Sequence, residues 1–282
     1  MRSRFRAALV QGNVQVVLLD GMGVSRLVLP VLRNLPDVRT TIVFHGKTRL
    51  HHGDIALLRS FHSPQVTLVA VSQTLATALQ QDLKIPVQVL RSALEPEYFR
   101  QALLERDVAR EKLGLSLGDG PILGAIGRLV DSKGFDYLLD AFALARKQQP
   151  DMRLIILGEG NQRYLLESRI KALGLEAVVC LRGHCNELSK LYRAFDWVLV
   201  PSLSEGLGLV LQEAVMAEVP VLCSELSVFR EQLGDHGRYV AAGDVAAWAR
   251  AIAECVTLDG EQVARTQYQA LAPEQAWQHF GQ

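Results

Sequence analysis

The 282 residues contain no apolar run approaching the ~18 uninterrupted positions that a membrane-crossing helix requires. No transmembrane helix is therefore expected, and any membrane contact is expected to be peripheral. Cysteine is scarce. Cys180, Cys185, Cys223 and Cys255 have no metal-type spacing and no partner pair, so neither a metal site nor a disulfide framework is expected. Reduced structural thiols in a cytosolic protein are the simpler reading. Net charge is lacking too. With 30 Lys/Arg against 30 Asp/Glu there is no overall basic footprint, and nucleic acid is not expected as a partner. No tandem repeat and no low-complexity segment occurs. The start is basic (Arg2, Arg4, Arg6), but the apolar stretch Ala7–Val10 is too short for the core of a signal peptide. A Gly-x-Gly at Gly21 and Gly23 lacks both the third glycine and an acidic residue about 20 positions on, which leaves a dinucleotide fingerprint poorly supported.

What is present is apolar content, 49 % of the chain, enough for a substantial core. The length suits one large or two medium domains. Charge is unevenly spread: residues 1–105 hold 12 Lys/Arg and 7 Asp/Glu, residues 106–282 hold 18 and 23. A modestly basic first half suits a phosphorylated or membrane-surface acceptor, and ordinary charge scatter accounts for it equally well. Short apolar runs alternate with helical patterns along the whole chain. Strands are predicted over 14–19, 40–44, 66–71 and 87–90, then over 121–126, 153–157, 178–181, 197–200 and 219–223. Helices are predicted between them, including 4–13, 25–35, 73–83 behind a Ser72 cap, 100–113, 161–173, 186–195, 245–257 and 260–280. This alternation implies α/β architecture, with parallel sheets covered by helices on both faces. The expected organisation is a first Rossmann-like domain over 1–105, a second over 106–265, and a C-terminal helical segment over 266–282 that packs back on the first.

The densest pattern lies at 197–225. An apolar run, Trp197–Val200, stops at Pro201-Ser202. A polar turn follows with Glu205, Gly206 and Gly208, then a helical pattern over Leu207, Val210, Leu211, Ala214 and Val215, then a second strand. Ligands bind beside such loops, at the carboxyl ends of parallel strands. If the whole span were helical, Glu205 and Glu213 would stand about 80° apart around the axis and about 12 Å apart along it. A nucleoside diphosphate sugar separates its sugar from its ribose by a comparable length. Each carboxylate can take hydroxyls, while backbone N–H groups of 206–209 and the helix dipole face the diphosphate. Taken alone, such a pair reads more plainly as Glu205 stabilising the start of its helix and Glu213 solvated. A second candidate follows the strand at 121–126. Arg128 and Lys133 flank a glycine-bounded turn, where one guanidinium and one ammonium can clasp a diphosphate or simply remain solvated.

Gly127-Arg128-Leu129, Lys133-Gly134-Phe135, Leu157–Gly160, and Pro201-Ser202 through Glu205-Gly206-Leu207-Gly208-Leu209 with Glu213-Ala214 together resemble the donor half of a retaining glycosyltransferase of family 4 with the GT-B fold. The resemblance spans about 105–280. It implies two Rossmann-like parallel-sheet domains with the active site in the cleft between them. It also implies that Arg128 and Lys133 bind the donor pyrophosphate, that Glu205 contacts the donor sugar, that Glu213 holds the ribose hydroxyls, and that the amides of Gly206, Leu207, Gly208 and Leu209 face sugar and phosphates. The family's usual aromatic after Glu-Gly is Leu207 here. The first half resembles the acceptor domain in part. Thr41–Gly46 resembles the strand ending in a histidine that reaches the cleft, which makes His45 a catalytic candidate; without the resemblance, a structural histidine at a strand end is the plainer reading. The family's usual Asn-Gly after the last strand of that domain is Ser92-Ala93. The first strand and glycine-rich loop of that domain have no counterpart, so the first domain is expected to be incomplete, with Met1 either the start of a compact member or an internal one. Lys47, Arg49, His51 and His52 read as a solvated loop or as contacts for a phosphorylated acceptor, and His62 suggests no ligand geometry. No Asp-x-Asp occurs. Metal-dependent glycosyltransferases need such a pair, so no metal and no cofactor is expected beyond the nucleotide diphosphate sugar itself, with cations and a helix N-terminus stabilising the leaving group.

The resemblance thus implies a cytoplasmic, retaining hexosyltransferase-type enzyme. It would move a sugar from a nucleotide sugar to a glycan or glycolipid acceptor such as lipopolysaccharide, in peripheral contact with the inner membrane surface. Two rivals remain at this point: a nucleotide-sugar epimerase on the same architecture, and a non-catalytic nucleotide-sugar-binding remnant.

Overall fold

The computed structural model describes residues 2–46, 48–61, 65–115 and 120–280, and Lys47 and His62 lie outside them. The chain divides into two compact units, 1–92 and 93–282. In the first unit, α1 (Arg2–Gln11) leads to β1 (Val16–Asp20), α2 (Gly21–Leu32), β2 (Arg39–Phe44), α3 (His52–Arg59), β3 (Val66–Ala70), α4 (Gln73–Leu83) and β4 (Gln88–Val89). All four strands are parallel, in the order β1-β2-β3-β4. The alternation in β2 explains its placement. Thr40, Ile42 and Phe44 turn into the core, and Arg39 is exposed. The other face of β1 stays open to solvent, with Val16 and Leu18 exposed. Ser72 caps α4 as its sequence position suggests, accepting from the Leu75 N–H at 3.2 Å.

The second unit opens with α5 (Pro96–Ala102) and α6 (Arg106–Lys112). It continues through β5 (Ile122–Ile126), α7 (Phe135–Ala145), β6 (Arg153–Leu157), α8 (Arg163–Ala172), β7 (Val179–Gly183), β8 (Trp197–Val200), α9 (Leu209–Met216), β9 (Val221–Ser224), α10 (Ser227–Leu233), β10 (Arg238–Val240), α11 (Val245–Cys255), α12 (Gly260–Leu271) and α13 (Pro273–Phe280). The sheet order is β10-β9-β8-β5-β6-β7, all parallel. Strand residues alternate between two cores: Ile122, Ile155, Val198 and Val221 enter one, Leu123, Leu154, Leu199 and Leu222 the other. Both faces are therefore buried, which is why these strands read as unbroken apolar runs rather than alternating ones.

Several elements differ from the sequence reading. The helix expected over 100–113 is two helices, broken where the Leu104 N–H leaves the helical ladder for the Lys190 carbonyl at 2.9 Å. Phe99 and Leu103 pack into the second unit's core, which places α5 there, with the division at 92/93 rather than 105/106. The helix expected over 186–195 is a pair of 3-10 turns, Leu188–Lys190 and Tyr192–Ala194. The span 260–280 is interrupted at Ala272, whose φ of 45° ends α12. Helices α3 and α10 and strand β10 were not anticipated. Among the described residues no helix is long and apolar enough to cross a membrane.

Candidate functional site

Two loops meet at the carboxyl end of the second sheet, one after β5 (127–134) and one after β8 (201–208). Strands β5 and β8 are neighbours, and the chain leaves them for opposite sides of the sheet. Open parallel sheets bind ligands at such a switch point. The loops are hydrogen-bonded to each other and to their surroundings. The Leu203 N–H donates to the Ser132 carbonyl at 2.8 Å, and the Leu129 N–H donates to the Glu159 carbonyl at 2.9 Å. The buried Tyr137 hydroxyl on α7 donates to the Pro201 carbonyl at 2.5 Å. Burial pushes the Tyr137 phenol above its usual range, so it stays a donor. Gly134 has a φ of 67°, and a Cβ there would lie 2.3 Å from the Pro201 carbonyl oxygen. A side chain at 134 would drive the loops apart.

This stitching brings Lys133 and Glu205 together. The Lys133 ammonium forms an ion pair with Glu205 Oε1, and the two side chains are only 16 % and 12 % exposed. The buried Ser202 hydroxyl donates to the same oxygen at 2.8 Å. One oxygen of Glu205 is thus held by two donors, and among the described residues Oε2 has no hydrogen-bond partner, which leaves its lone pairs for a ligand hydroxyl. Arg128 is placed differently: it is exposed and, among the described residues, its side chain makes no hydrogen bond or ion pair. The two cations are therefore not equivalent. One is already compensated inside the protein, and the other is available to solvent.

The turn into α9 is built by Gly206, Leu207 and Gly208, all buried. Gly208 adopts a φ of 86° as N-cap, with the Phe229 ring 2.5 Å from where its Cβ would stand. The Leu207 side chain is in the core, and its carbonyl accepts from Gln232 Nε2 at 2.5 Å, which fixes the turn from α10. Leu209, the first helical residue, is exposed. Because α9 starts at Leu209, Glu205 lies outside the helix, and the helical estimate of its separation from Glu213 does not apply. Glu213 sits half-buried on α9. The Tyr192 hydroxyl, from the 3-10 turn before β8, donates to its Oε2 at 2.5 Å. Burial pushes the Glu213 carboxyl up from its usual value, and the Tyr192 bond pulls it back. Ser202 stood inside the sequence pattern, but Tyr192 carried no local signal, since only the fold brings it beneath α9.

His45 belongs to the first unit, immediately after β2. Its Nε2 is 3.7 Å from Asp20 Oδ1 at the end of the adjacent β1, and both side chains are largely exposed. Such a surface pair holds the imidazole only loosely. His51 and His52 lie at the start of α3, where the Asp54 carboxylate accepts from the His51 N–H at 2.9 Å and from Arg26. A cavity of 1140 Å³ opens at the amino-terminal end of the second sheet, beside Pro121, Asp196, Trp197 and Pro220, away from these residues. Its arginines are paired: Arg106 and Arg110 with Asp196, Arg193 with Glu105, Arg265 with Glu261.

Two Rossmann-like parallel-sheet units define the GT-B fold, and solved GT-B structures superpose on the chain. One is a protein from Anabaena named HepE, crystallised with UDP (TM-score 0.80, 20 % identity, 99 % of this chain and 78 % of that one). Another is WaaG, described as a glycosyltransferase involved in lipopolysaccharide biosynthesis (TM-score 0.70, 19 % identity, 88 % and 79 %). The family profile "Glycosyl transferases group 1" matches residues 106–271, and the chain belongs to that family. A 2-deoxystreptamine glucosyltransferase of Streptomyces kanamyceticus is 26 % identical over 271 residues, covering 89 % of this chain and 69 % of its own. The chain covers less than two thirds of other curated relatives, including 41 % of a D-inositol 3-phosphate glycosyltransferase of Corynebacterium urealyticum that is 33 % identical over 179 residues.

Proposed function

We propose that the chain transfers a sugar from a nucleotide diphosphate sugar to a glycan or glycolipid acceptor, with retention of anomeric configuration and without a metal ion. The observation that carries this reading is the Lys133–Glu205 pair held beside the Gly206–Gly208 turn and the start of α9. A carboxylate for sugar hydroxyls, a cation and a helix start are gathered in one loop pair. Exposed Arg128 would meet the diphosphate first. Lys133 would exchange part of its bond to Glu205 for the phosphates, and with Arg128 would stabilise charge growing on the leaving group. Glu213 would take the ribose hydroxyls. His45 would act from the first unit on the donor sugar or the departing phosphate. The UDP in the Anabaena structure supports a nucleoside diphosphate as the leaving part. The excess of positive charge in residues 1–92, 11 Lys/Arg against 4 Asp/Glu, supports an anionic acceptor such as a bacterial surface glycolipid at the cytoplasmic membrane face.

Calorimetric titration of the protein with UDP, GDP and ADP, set beside donor-consumption assays with and without lipopolysaccharide acceptor, tests the reading. Binding of one diphosphate, and acceptor-dependent consumption that chelator leaves intact, is the expected outcome. Loss of activity in chelator that Mg²⁺ or Mn²⁺ restores overturns the metal-free site. An altered donor sugar formed without acceptor indicates an epimerase, and binding without consumption indicates a chain that holds nucleotide sugar and transfers nothing.

A further inference from the structure

Tyr192 is wholly buried in the second unit's core. Its ring packs 6.5 Å from that of Phe99, and its hydroxyl ends on Glu213 Oε2. Among the described residues Glu213 has no other hydrogen-bond partner and no cationic partner. A half-buried carboxylate without a counter-ion is costly, and it swings freely unless something fixes it. Here the fixing group is neutral. Burial first, then the neighbouring Glu213 charge, hold the Tyr192 phenol well above its usual value, so it remains a permanent donor. A carboxylate has about four acceptor directions. The phenol occupies one, which leaves Oε1 and the second lone pair of Oε2 for ligand hydroxyls in one fixed orientation.

We propose that Tyr192 is a positioning residue for Glu213: by fixing one carboxylate oxygen from inside the core, it sets the discrimination between a ribose diol and a sugar lacking those hydroxyls. The inference rests on the reading of Glu213 as the carboxylate that takes the ribose. Pre-orientation of this kind matters because a vicinal diol gains two charge-assisted hydrogen bonds only if both acceptors point at it at once. A merely structural tyrosine would, on removal, weaken every ligand alike.

The test is calorimetric, on the full chain. The probe is whichever of UDP, GDP and ADP the wild type binds most tightly, compared with its 2′,3′-dideoxy counterpart. The wild type is expected to prefer the ribo form. Tyr192→Phe is expected to weaken ribo binding about tenfold while dideoxy binding moves less than about twofold, so that the preference collapses. Equal loss for both forms, or an unchanged preference, overturns the inference. Glu213→Ala separates the two layers of the argument. If Glu213→Ala leaves the preference intact, the ribose reading itself fails. If Glu213→Ala abolishes it and Tyr192→Phe does not, only the positioning role fails. If Tyr192→Phe does not fold, Glu213→Asp draws the carboxylate back from the phenol without touching the core. It is expected to give the same collapse, and retention of the preference there overturns the inference.

Discussion

At the scale of single residues, the two carboxylates of the candidate site share a construction. Each has one oxygen held by a buried hydroxyl, Ser202 on Glu205 and Tyr192 on Glu213. For Glu205 the consequence is measurable. Ser202→Ala removes one of two donors to Oε1 and leaves Lys133 alone to orient the carboxylate. Transfer, read as kcat/KM for donor, is expected to fall about fivefold to thirtyfold, while affinity for the free nucleoside diphosphate stays within about twofold, because in the proposed reading Glu205 meets the sugar and not the diphosphate. An equal fall in both quantities would place Ser202 at the phosphates instead. That these candidate residues lie in loops after two strand ends was legible in the sequence, because chain direction and glycine spacing already define a loop there. Their partners were less so. That Lys133 and Glu205 neutralise each other follows from β5 and β8 being neighbours, a relation between positions 72 apart in the chain. Tyr192 reaches Glu213 through the same long-range packing.

At the scale of elements, strands buried on both faces and helices with a clear apolar face announced themselves. The elements that local pattern missed are held by tertiary contacts. Helix α3 begins at two histidines, a weak starting signal, yet Asp54 serves it twice. Its carboxylate accepts from the His51 N–H and makes a two-pronged bond with Arg26 of α2, at 2.7 and 2.8 Å. Those bonds, Arg26 foremost, lower the Asp54 carboxyl from 3.8 to about 2. A depressed carboxyl adds stability above its unfolded value and loses it as pH falls through the folded one. The first unit is therefore expected to lose about 1 kcal/mol between roughly pH 5 and pH 1, discounted for the solvent exposure of Arg26. Asp54→Asn, less stable at neutral pH, should lack that part of the acid dependence. Denaturant melts of both proteins across this range check it, and parallel pH curves would contradict it. The break between α5 and α6 has a similar origin, since the bond from Leu104 to the Lys190 carbonyl joins segments far apart in sequence.

At the scale of the whole molecule, the division at 92/93 sharpens the charge asymmetry visible in the sequence. Residues 1–92 carry a balance of +7 from 11 Lys/Arg and 4 Asp/Glu, and residues 93–282 one of −7 from 19 and 26. If the basic unit meets an anionic surface, the protein is expected to sediment with vesicles containing anionic phospholipid at low ionic strength and to be released as salt approaches ~0.5 M. Equal recovery on neutral vesicles would refute an electrostatic attachment. An overall charge of zero hides this, because an attachment made by one unit responds to salt through that unit's own charge and not through the sum over the chain.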